Sequence, residues 1–342
     1  MKRLLIVTDA WHPQTNGVVT TLTSVIEHLP ALGYETRVIH PGLFATVPLP
    51  SYPEIRVARE PWKLVRLLDA AAPDTVHLAT EGPLGLAARR YLLRRGIPFT
   101  TSLHTKFPEY VNERVALPLA VGYRFLRWFH RPAERVLCTT ESHRQELARW
   151  GMRNLVVWGR GVDTDRFRPA PREARARPRL LYVGRVAVEK NIEAFLDLDI
   201  DAEKRVVGDG PARTELARRH SDVRWLGYRH GDALVAEYAQ ADAFVFPSRT
   251  DTFGLVMLEA MACGTPVAGY PVTGPRDVVT EGVNGCLDDD LEAAVRRALV
   301  LDRRRCRAHA LTLGWPQVAE RLVAALHPLA PAAATDPSSL AA

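Results

Sequence analysis

An α/β protein with parallel sheets, divided into two domains, is the fold class this sequence predicts. Three observations predict it. At 342 residues the chain is long for one core, which favours two domains. Near the start of each half, at residues 4–17 and 179–190, an apolar strand candidate runs through a glycine-bearing loop toward a helix. Residues 243–270, AFVFPSRTDTFGLVMLEAMACGTPVAGY, read as strand, loop, helix and strand. In that stretch 243–246 and 267–270 are the strands, and 252–263 is a helix stopped by Gly264 and Pro266. Units of this kind belong to parallel sheets whose functional loops lie at the strands' carboxyl ends.

Composition narrows the class. The chain is 47% hydrophobic and 25% charged, as a globular protein is. No window of about 18 apolar residues is present, so no transmembrane helix is expected. Residues 1–10 are too short an apolar run for a signal peptide and lead into a fold element. Cys138, Cys263, Cys286 and Cys306 show no C-x-x-C spacing, which fits reduced thiols in a cytosolic protein. The net charge is +6, and only five of the 45 cationic residues are Lys, a skew that also follows from genome composition. Basic chains bind nucleic acid, anionic membranes or anionic small molecules. No nucleic-acid motif is present, so no nucleic-acid partner is expected. No His or Cys cluster has metal-ligand spacing, so neither a metal nor a cofactor is expected.

In order, residues 4–10 are a buried strand, 11–17 (WHPQTNG) a loop, and 18–32 a helix closed by Gly33. This opening is Rossmann-like but lacks G-x-G-x-x-G, which argues against a nicotinamide dinucleotide. Asn16–Gly17 by itself also fits a plain turn. Strands follow at 37–40, 55–58, 75–80 and 98–104, with helices at 62–72 and 84–95, the latter ended by Gly96. His104 stands at a strand's carboxyl end, where a lone His is more often structural. Residues 112–134 interleave Arg114, Arg124, Arg127 and Arg131 with Tyr123, Phe125, Trp128 and Phe129. Arg124, Arg127, Trp128 and Arg131 suit an anionic membrane surface, and equally a packed helix with snorkelling arginines. Strands at 135–141 and 154–160 complete the first half. Residues 169–178 (PAPREARARP) read as a linker.

The second half opens with a strand at 179–185. Arg185 and Lys190 flank the start of the next helix and can reach one pyrophosphate, Arg as a fork and Lys as a compact charge. Asp197, Asp199 and Asp201 read as a solvated turn, and residues 288–290 as the acidic start of a helix at 291–301. Strand-and-turn segments at 206–211 and 224–228 follow the same pattern. In the central stretch Asp251 stands at the expected helix start and Glu259 eight residues on, up to ~12 Å along the axis. Between them the amides of Thr252, Phe253, Gly254 and Leu255 would form an anion site, and Gly254 would let a ligand approach the backbone. An N-cap Asp and a solvated Glu on an ordinary helix fit the same spacing. Residues 315–326 are amphipathic, and a low-complexity tail follows.

The wording FGLVMLEAMACGTPVA, with Asp251 and Glu259 in an acid-x7-Glu frame, resembles family 4 of the retaining glycosyltransferases, of GT-B fold. Asp251 stands where that pattern has Glu. TDAWHPQTNGVVTTL, TSLHTKFPEYV, GRVAVEKN and GVDTDRF extend the resemblance over nearly the whole chain. The resemblance implies two Rossmann-like domains facing across a cleft. The expected division is an acceptor-side domain at 1–168, a linker at 169–179, a nucleotide-sugar domain at 180–313, a helix at 314–328 crossing back, and a mobile tail at 329–342. It implies that Asn16 and Gly17 lie against the donor phosphate and sugar, and that His104 reaches the sugar and the acceptor pocket. Arg185 and Lys190 would hold the diphosphate, Asp251 the sugar and Glu259 the ribose, so the expected catalytic set is His104, Arg185, Lys190 and Asp251.

The implied reaction moves a mannose- or glucose-type hexose from a nucleotide-diphosphate sugar to an acceptor hydroxyl, with retention and by a front-face mechanism. TDAWHPQTNGVVTTL and SLHTKFPEYV resemble both GDP-mannose-dependent α-mannosyltransferases and enzymes that glycosylate diacylglycerol from UDP-sugars. A lipid-linked acceptor, and a cytoplasmic enzyme peripheral on the inner face of the membrane, are the matching expectations. A GT-B epimerase would need acid–base carboxylates near the sugar, and a phosphorylase a cofactor Lys; neither stands out. A non-catalytic regulator would be favoured by loss of Arg185 and Lys190, which are both present.

Overall fold

The computed structural model describes residues 1–14, 16–49, 52–109, 112, 117–327 and 329. Arg114 and, apart from residue 329, the tail expected over 329–342 lie outside them. Two six-stranded, all-parallel sheets carry the chain. The first holds β1 (Lys2–Val7), β2 (Tyr34–Ile39), β5 (Thr75–Leu78), β6 (Thr100–Ser102), β7 (Val136–Cys138) and β8 (Leu155–Val157), in the order β2-β1-β5-β6-β7-β8. The second holds β9 (Arg179–Val183), β10 (Glu203–Val207), β11 (Arg224–Gly227), β12 (Ala243–Phe246), β13 (Val267–Gly269) and β14 (Gly285–Leu287), in the order β11-β10-β9-β12-β13-β14. The residues of β5, β6, β7 and β12 are all buried, because helices cover both faces of a parallel sheet.

Both orders reverse beside their first strand, between β1 and β5 and between β9 and β12. Ligands of open α/β sheets bind at the carboxyl ends next to such a reversal. The loop after β1 carries Asn16 and Gly17, the loop after β9 carries Arg185 and Lys190, and the loop after β12 carries Asp251. His104 follows β6, one strand further along.

The chain passes between the sheets twice, side by side. Val162 N–H donates to the Leu313 carbonyl at 2.9 Å. A Cβ on Gly161 would lie 2.7 Å from the Trp315 nitrogen, so only Gly fits there. The helix Trp315–Ala325 then packs on the first sheet, with Trp315, Val318 and Leu322 buried among Leu4, Ile6, Leu22 and Val25. Side chains buried to this degree stabilise by roughly 1.5–3 kcal/mol each. Trp158 Nε1 donates to the Val318 carbonyl at 2.9 Å and fixes that helix's height.

Local differences from the sequence reading have local causes. The helix expected at 18–32 is a helix at Gly17–His28 followed by a 3-10 turn at Pro30–Leu32, since Pro30 has no N–H to continue the ladder. The expected 252–263 helix starts only at Leu255 and ends at Ala262. Gly254, at φ 85, takes the left-handed conformation and closes the preceding loop instead of joining the helix. Arg185 precedes, and Lys190 ends, a 3-10 turn, Val188–Lys190, where a helix start was expected. Within the basic segment, Leu119–His130 is a helix. The strand expected at 55–58 is the end of β4 (Tyr52–Ala58), whose antiparallel partner β3 (Thr46–Leu49) is additional, as is the helix Glu141–Arg149.

Candidate functional site

The loops at the carboxyl ends of the two sheets meet, and most of the sequence-predicted site residues stand at that meeting. On the second-lobe side Lys190 Nζ lies 2.6 Å from Asp251 Oδ1, both side chains about one-fifth exposed. The two residues are far apart in sequence and come from loops after neighbouring strands of the reversal. Thr250 Oγ1 donates to the Glu189 carbonyl at 3.0 Å, and Asn191 Nδ2 to that of Pro247 at 3.0 Å, so the two loops move as one. The Tyr182 hydroxyl donates to the Arg185 carbonyl at 2.7 Å and fixes that residue's backbone beside them.

Gly254 sets the next piece. A Cβ there would lie 2.8 Å from Phe246 Cζ and 2.9 Å from Met257 Cε, so space and φ both require Gly. The helix therefore opens with the amides of Gly254, Leu255 and Val256 as its orphan donors, and those of Thr252 and Phe253 are not among them. Phe253 and Thr252 belong to the loop. Across the cleft, the Cβ position of Gly17 is 3.6 Å from Leu255 Cδ1, which places the loop after β1 directly against this helix start. Asn16 caps its own helix, its Oδ1 accepting from Val18 N at 3.0 Å and Val19 N at 3.1 Å.

Glu259 lies one turn further into the helix. Its Oε2 accepts from the Tyr238 hydroxyl at 2.7 Å. Burial pushes its carboxyl above the ordinary range, against the Tyr238 bond and the charge of Arg166.

Thr252 joins the two lobes. Its Oγ1 donates to the His104 carbonyl at 2.6 Å, and its own carbonyl accepts from Thr139 Oγ1 at 2.8 Å. Thr139 has spent its proton, so His143 Nδ1, 3.0 Å away, is the donor to it. Burial, and then the charges of Lys106 and Arg160, push the His143 pKa down to about 3. Further out, Ser142 N donates to Asp277 Oδ1 at 2.9 Å and Thr273 Oγ1 to Glu146 Oε2 at 3.1 Å; Glu146 also pairs with Lys106 at 2.6 Å.

His104 presents both ring nitrogens to protein groups: Nε2 lies 2.7 Å from Ser102 Oγ, and Nδ1 lies 2.8 Å from an Arg160 nitrogen. Trp158 meets its ring edge-on at 5.7 Å. Ser102 and Arg160 were not anticipated from sequence. An Arg directly after an apolar strand, VVWGR, at the functional edge of a sheet is the signal that could have found the second.

Arg124, Arg127, Trp128 and Arg131 sit elsewhere, exposed on the helix Leu119–His130 and just beyond it, with Trp128 52% exposed. Arg89 stacks over the Trp128 ring at 4.0 Å and donates to the Trp128 and Phe129 carbonyls.

Comparison with known proteins gives the same picture in two halves. Residues 15–166 match the family model described as Glycosyltransferase Family 4, and residues 177–301 the one described as Glycosyl transferases group 1. A GDP-mannose-dependent alpha-mannosyltransferase of Mycolicibacterium smegmatis is 32% identical over 94% of this chain and 96% of its own. The protein of that name from Mycobacterium tuberculosis is 30% identical over 94% and 95%. Among solved structures, sucrose-phosphate synthase from Thermosynechococcus elongatus superposes with a TM-score of 0.76 at 20% identity, covering 95% of this chain and 98% of that one.

Proposed function

The chain belongs to glycosyltransferase family 4, and from that premise we propose that it transfers mannose from GDP-mannose to a hydroxyl of a lipid or glycolipid acceptor. It is a retaining hexosyltransferase of GT-B fold that uses a nucleotide-sugar donor. GDP-mannose is favoured because relatives bearing that name match over nearly the whole length. A lipid-linked acceptor is favoured by a relative named as a phosphatidylinositol dimannoside mannosyltransferase, 26% identical over 96% of this chain.

The observation that carries the proposal is the Lys190–Asp251 pair, beside the orphan amides of the helix Leu255–Ala262 and opposite Gly17. In this reading the second lobe, residues 180–313, takes the donor and the first, residues 1–168, presents the acceptor. The bond from the anomeric carbon to the diphosphate breaks as the bond to the acceptor oxygen forms on the same face. The acceptor's proton passes to the departing diphosphate oxygen. Charge grows on that diphosphate, and Arg185, Lys190 and the amides of 254–256 stabilise it. Charge-assisted bonds contribute about 1.5–3 kcal/mol each. Asn16 and Gly17 let the donor lie close to the first lobe, Asp251 and His104 orient the sugar hydroxyls, and Glu259 accepts from the ribose diol. Phe253 and Thr252 hold the loop in place.

Purified protein offered GDP-mannose, UDP-glucose and UDP-galactose, with release of free nucleotide followed, tests the donor. Release of GDP alone is expected; release of UDP alone would overturn the mannose assignment.

No helix among the described residues is long and apolar enough to cross a membrane. The exposed face of Arg124, Arg127, Trp128 and Arg131 supports peripheral attachment to an anionic membrane surface on the cytoplasmic side. Co-sedimentation with phosphatidylglycerol vesicles, lost on Arg124→Glu with Arg127→Glu, is the expected result.

A further inference from the structure

Arg160 is the last side chain before the crossing at Gly161, and it is only 5% exposed. One terminal nitrogen donates to the Gly159 carbonyl at 2.6 Å and the other meets His104 Nδ1 at 2.8 Å. The guanidinium carbon lies 5.1 Å from the Trp158 ring centroid. Among the described residues no carboxylate comes within ion-pair distance of it. Buried cations are ordinarily matched by an anion, so this one is held for what it contacts.

A guanidinium has donors and no acceptor. Nδ1 of His104 must therefore accept, and the ring's single proton lies on Nε2, which donates to Ser102 Oγ at 2.7 Å. Ser102 Oγ then lies 3.0 Å from His77 Nε2 and 3.4 Å from the Ala79 carbonyl, and His77 Nδ1 lies 2.9 Å from Thr100 Oγ1. Thr100 finishes on the Val76 carbonyl at 3.4 Å. The links from Arg160 through His104 to Ser102 run one way only, because reversing the His104 link would set two protons against each other at Arg160. Burial first, and then the charge of Arg160, hold His104 well below the ordinary histidine range, and burial holds His77 at about 3.

We propose that Arg160 is a positioning residue for the transfer reaction: its donation to Nδ1 fixes His104 as the neutral Nε2–H tautomer and locks the ring, with Ser102 as the far anchor. The consequence is twofold. The His104 carbonyl stays aimed at Thr252 across the cleft, and a sugar oxygen that takes the place of Ser102 at Nε2 meets a proton donor, never an acceptor. The catalytic part of this rests on His104 being a sugar-orienting group; the tautomer does not.

The test begins with the imidazole 15N spectrum of the unmutated protein, with the His104 signals assigned by their loss in His104→Asn. An Nε2–H pattern without titration between pH 5 and 8 is expected. An Nδ1–H pattern, or an ordinary titration near pH 6.5, would overturn the proposal. Arg160→Met and Arg160→Lys follow, each checked by thermal melting. Arg160→Met should give mixed tautomers, a titration returning toward the ordinary range, and a kcat about tenfold lower with an added acid limb, while the donor KM holds within about twofold. Arg160→Lys, also a pure donor, should restore the tautomer and the pH profile. A folded Arg160→Met protein with the parent's spectrum and pH profile would refute the assignment. If Arg160→Met does not fold, the unmutated spectrum alone decides. No transfer from any donor would instead strike the functional reading, since the spectra need no turnover.

Discussion

The two walls of the cleft are built from opposite kinds of chemistry. The second-lobe wall carries formal charge: Lys190 against Asp251, Arg185 earlier in the Lys190 loop, and Glu259 one turn into the helix. The first-lobe wall is mostly neutral and internally satisfied: His104 is bonded at both nitrogens, Thr139 bridges His143 to Thr252, and Asn16 caps a helix. Of its buried cations, Lys106 is paired with Glu146 and Arg160 is turned toward His104. A wall that must answer a charge developing on a diphosphate needs ionised groups held in place beforehand. A wall that must present a neutral hydroxyl needs fixed geometry and little field. The division of labour in the proposed reaction follows from that contrast.

The strongest way to break the contrast is Lys190→Ala. If the second wall supplies the charge, kcat falls about 10²–10³-fold, or about 2.7–4 kcal/mol, as loss of one preorganised donor does elsewhere. Steady-state kinetics on protein with an unchanged melting curve is the measurement. Near-normal turnover would move the diphosphate off this wall.

The pH dependence of stability separates two buried histidines of the first lobe from Glu259 of the second by sign. Burial pushes His77 and His143 from 6.5 to about 3, so between those values the folded first lobe binds fewer protons than the unfolded chain. Their contribution is complete above pH 6.5 and is lost as pH falls, at about 1.4 kcal/mol per pH unit for each histidine. Glu259 runs the other way. Its raised pKa means the folded state holds the extra proton, so its contribution is complete below 4.5 and is lost as pH rises through the folded value. Urea unfolding at pH 7, 6 and 5.5 should show His143→Gln flattening the acid loss, and Glu259→Gln gaining on the parent as pH rises. Equal slopes in all three proteins would erase the distinction.

The parts of this arrangement legible in the sequence were those written locally. Parallel strands buried on both faces are apolar runs, so LLIV in β1 and AFVF in β12 could be placed directly. The strand TVPL contains proline and is mostly exposed, which removes the apolar-run signal, and of its partner YPEIRVA only the part after the proline, 55–58, was legible. The helix ESHRQELAR is mostly polar and buries only His143 and Leu147, so it lacks an apolar stripe. Gly254 was read as room for a ligand, yet its φ of 85 and the nearness of Phe246 require Gly whatever binds. That one dihedral moved the helix start by three residues and changed which amides are offered. Asp251, Lys190 and Glu259 were legible as charges at sheet edges. The Ser102–His104–Arg160 chain was not, because it depends on how β6, β7 and β8 stack side by side, which no local pattern records.

The smallest expected effect tests whether the walls need each other. Thr252 touches the first lobe twice, giving a hydroxyl to the His104 carbonyl and accepting one from Thr139. Thr252→Val keeps the shape and the Thr139 bond but strands the His104 carbonyl. One neutral hydrogen bond contributes about 0.5–1.5 kcal/mol, so kcat/KM should fall about three- to tenfold. Melting should shift little, because the two cores and the helix Trp315–Ala325 remain intact. The radius of gyration from small-angle scattering should rise as the lobes open. A kcat/KM that fell together with stability would mark Thr252 as a packing residue. An unchanged kcat/KM with an unchanged radius would show that the neutral wall finds its place without the latch, leaving the charged wall to do the closing through the donor itself.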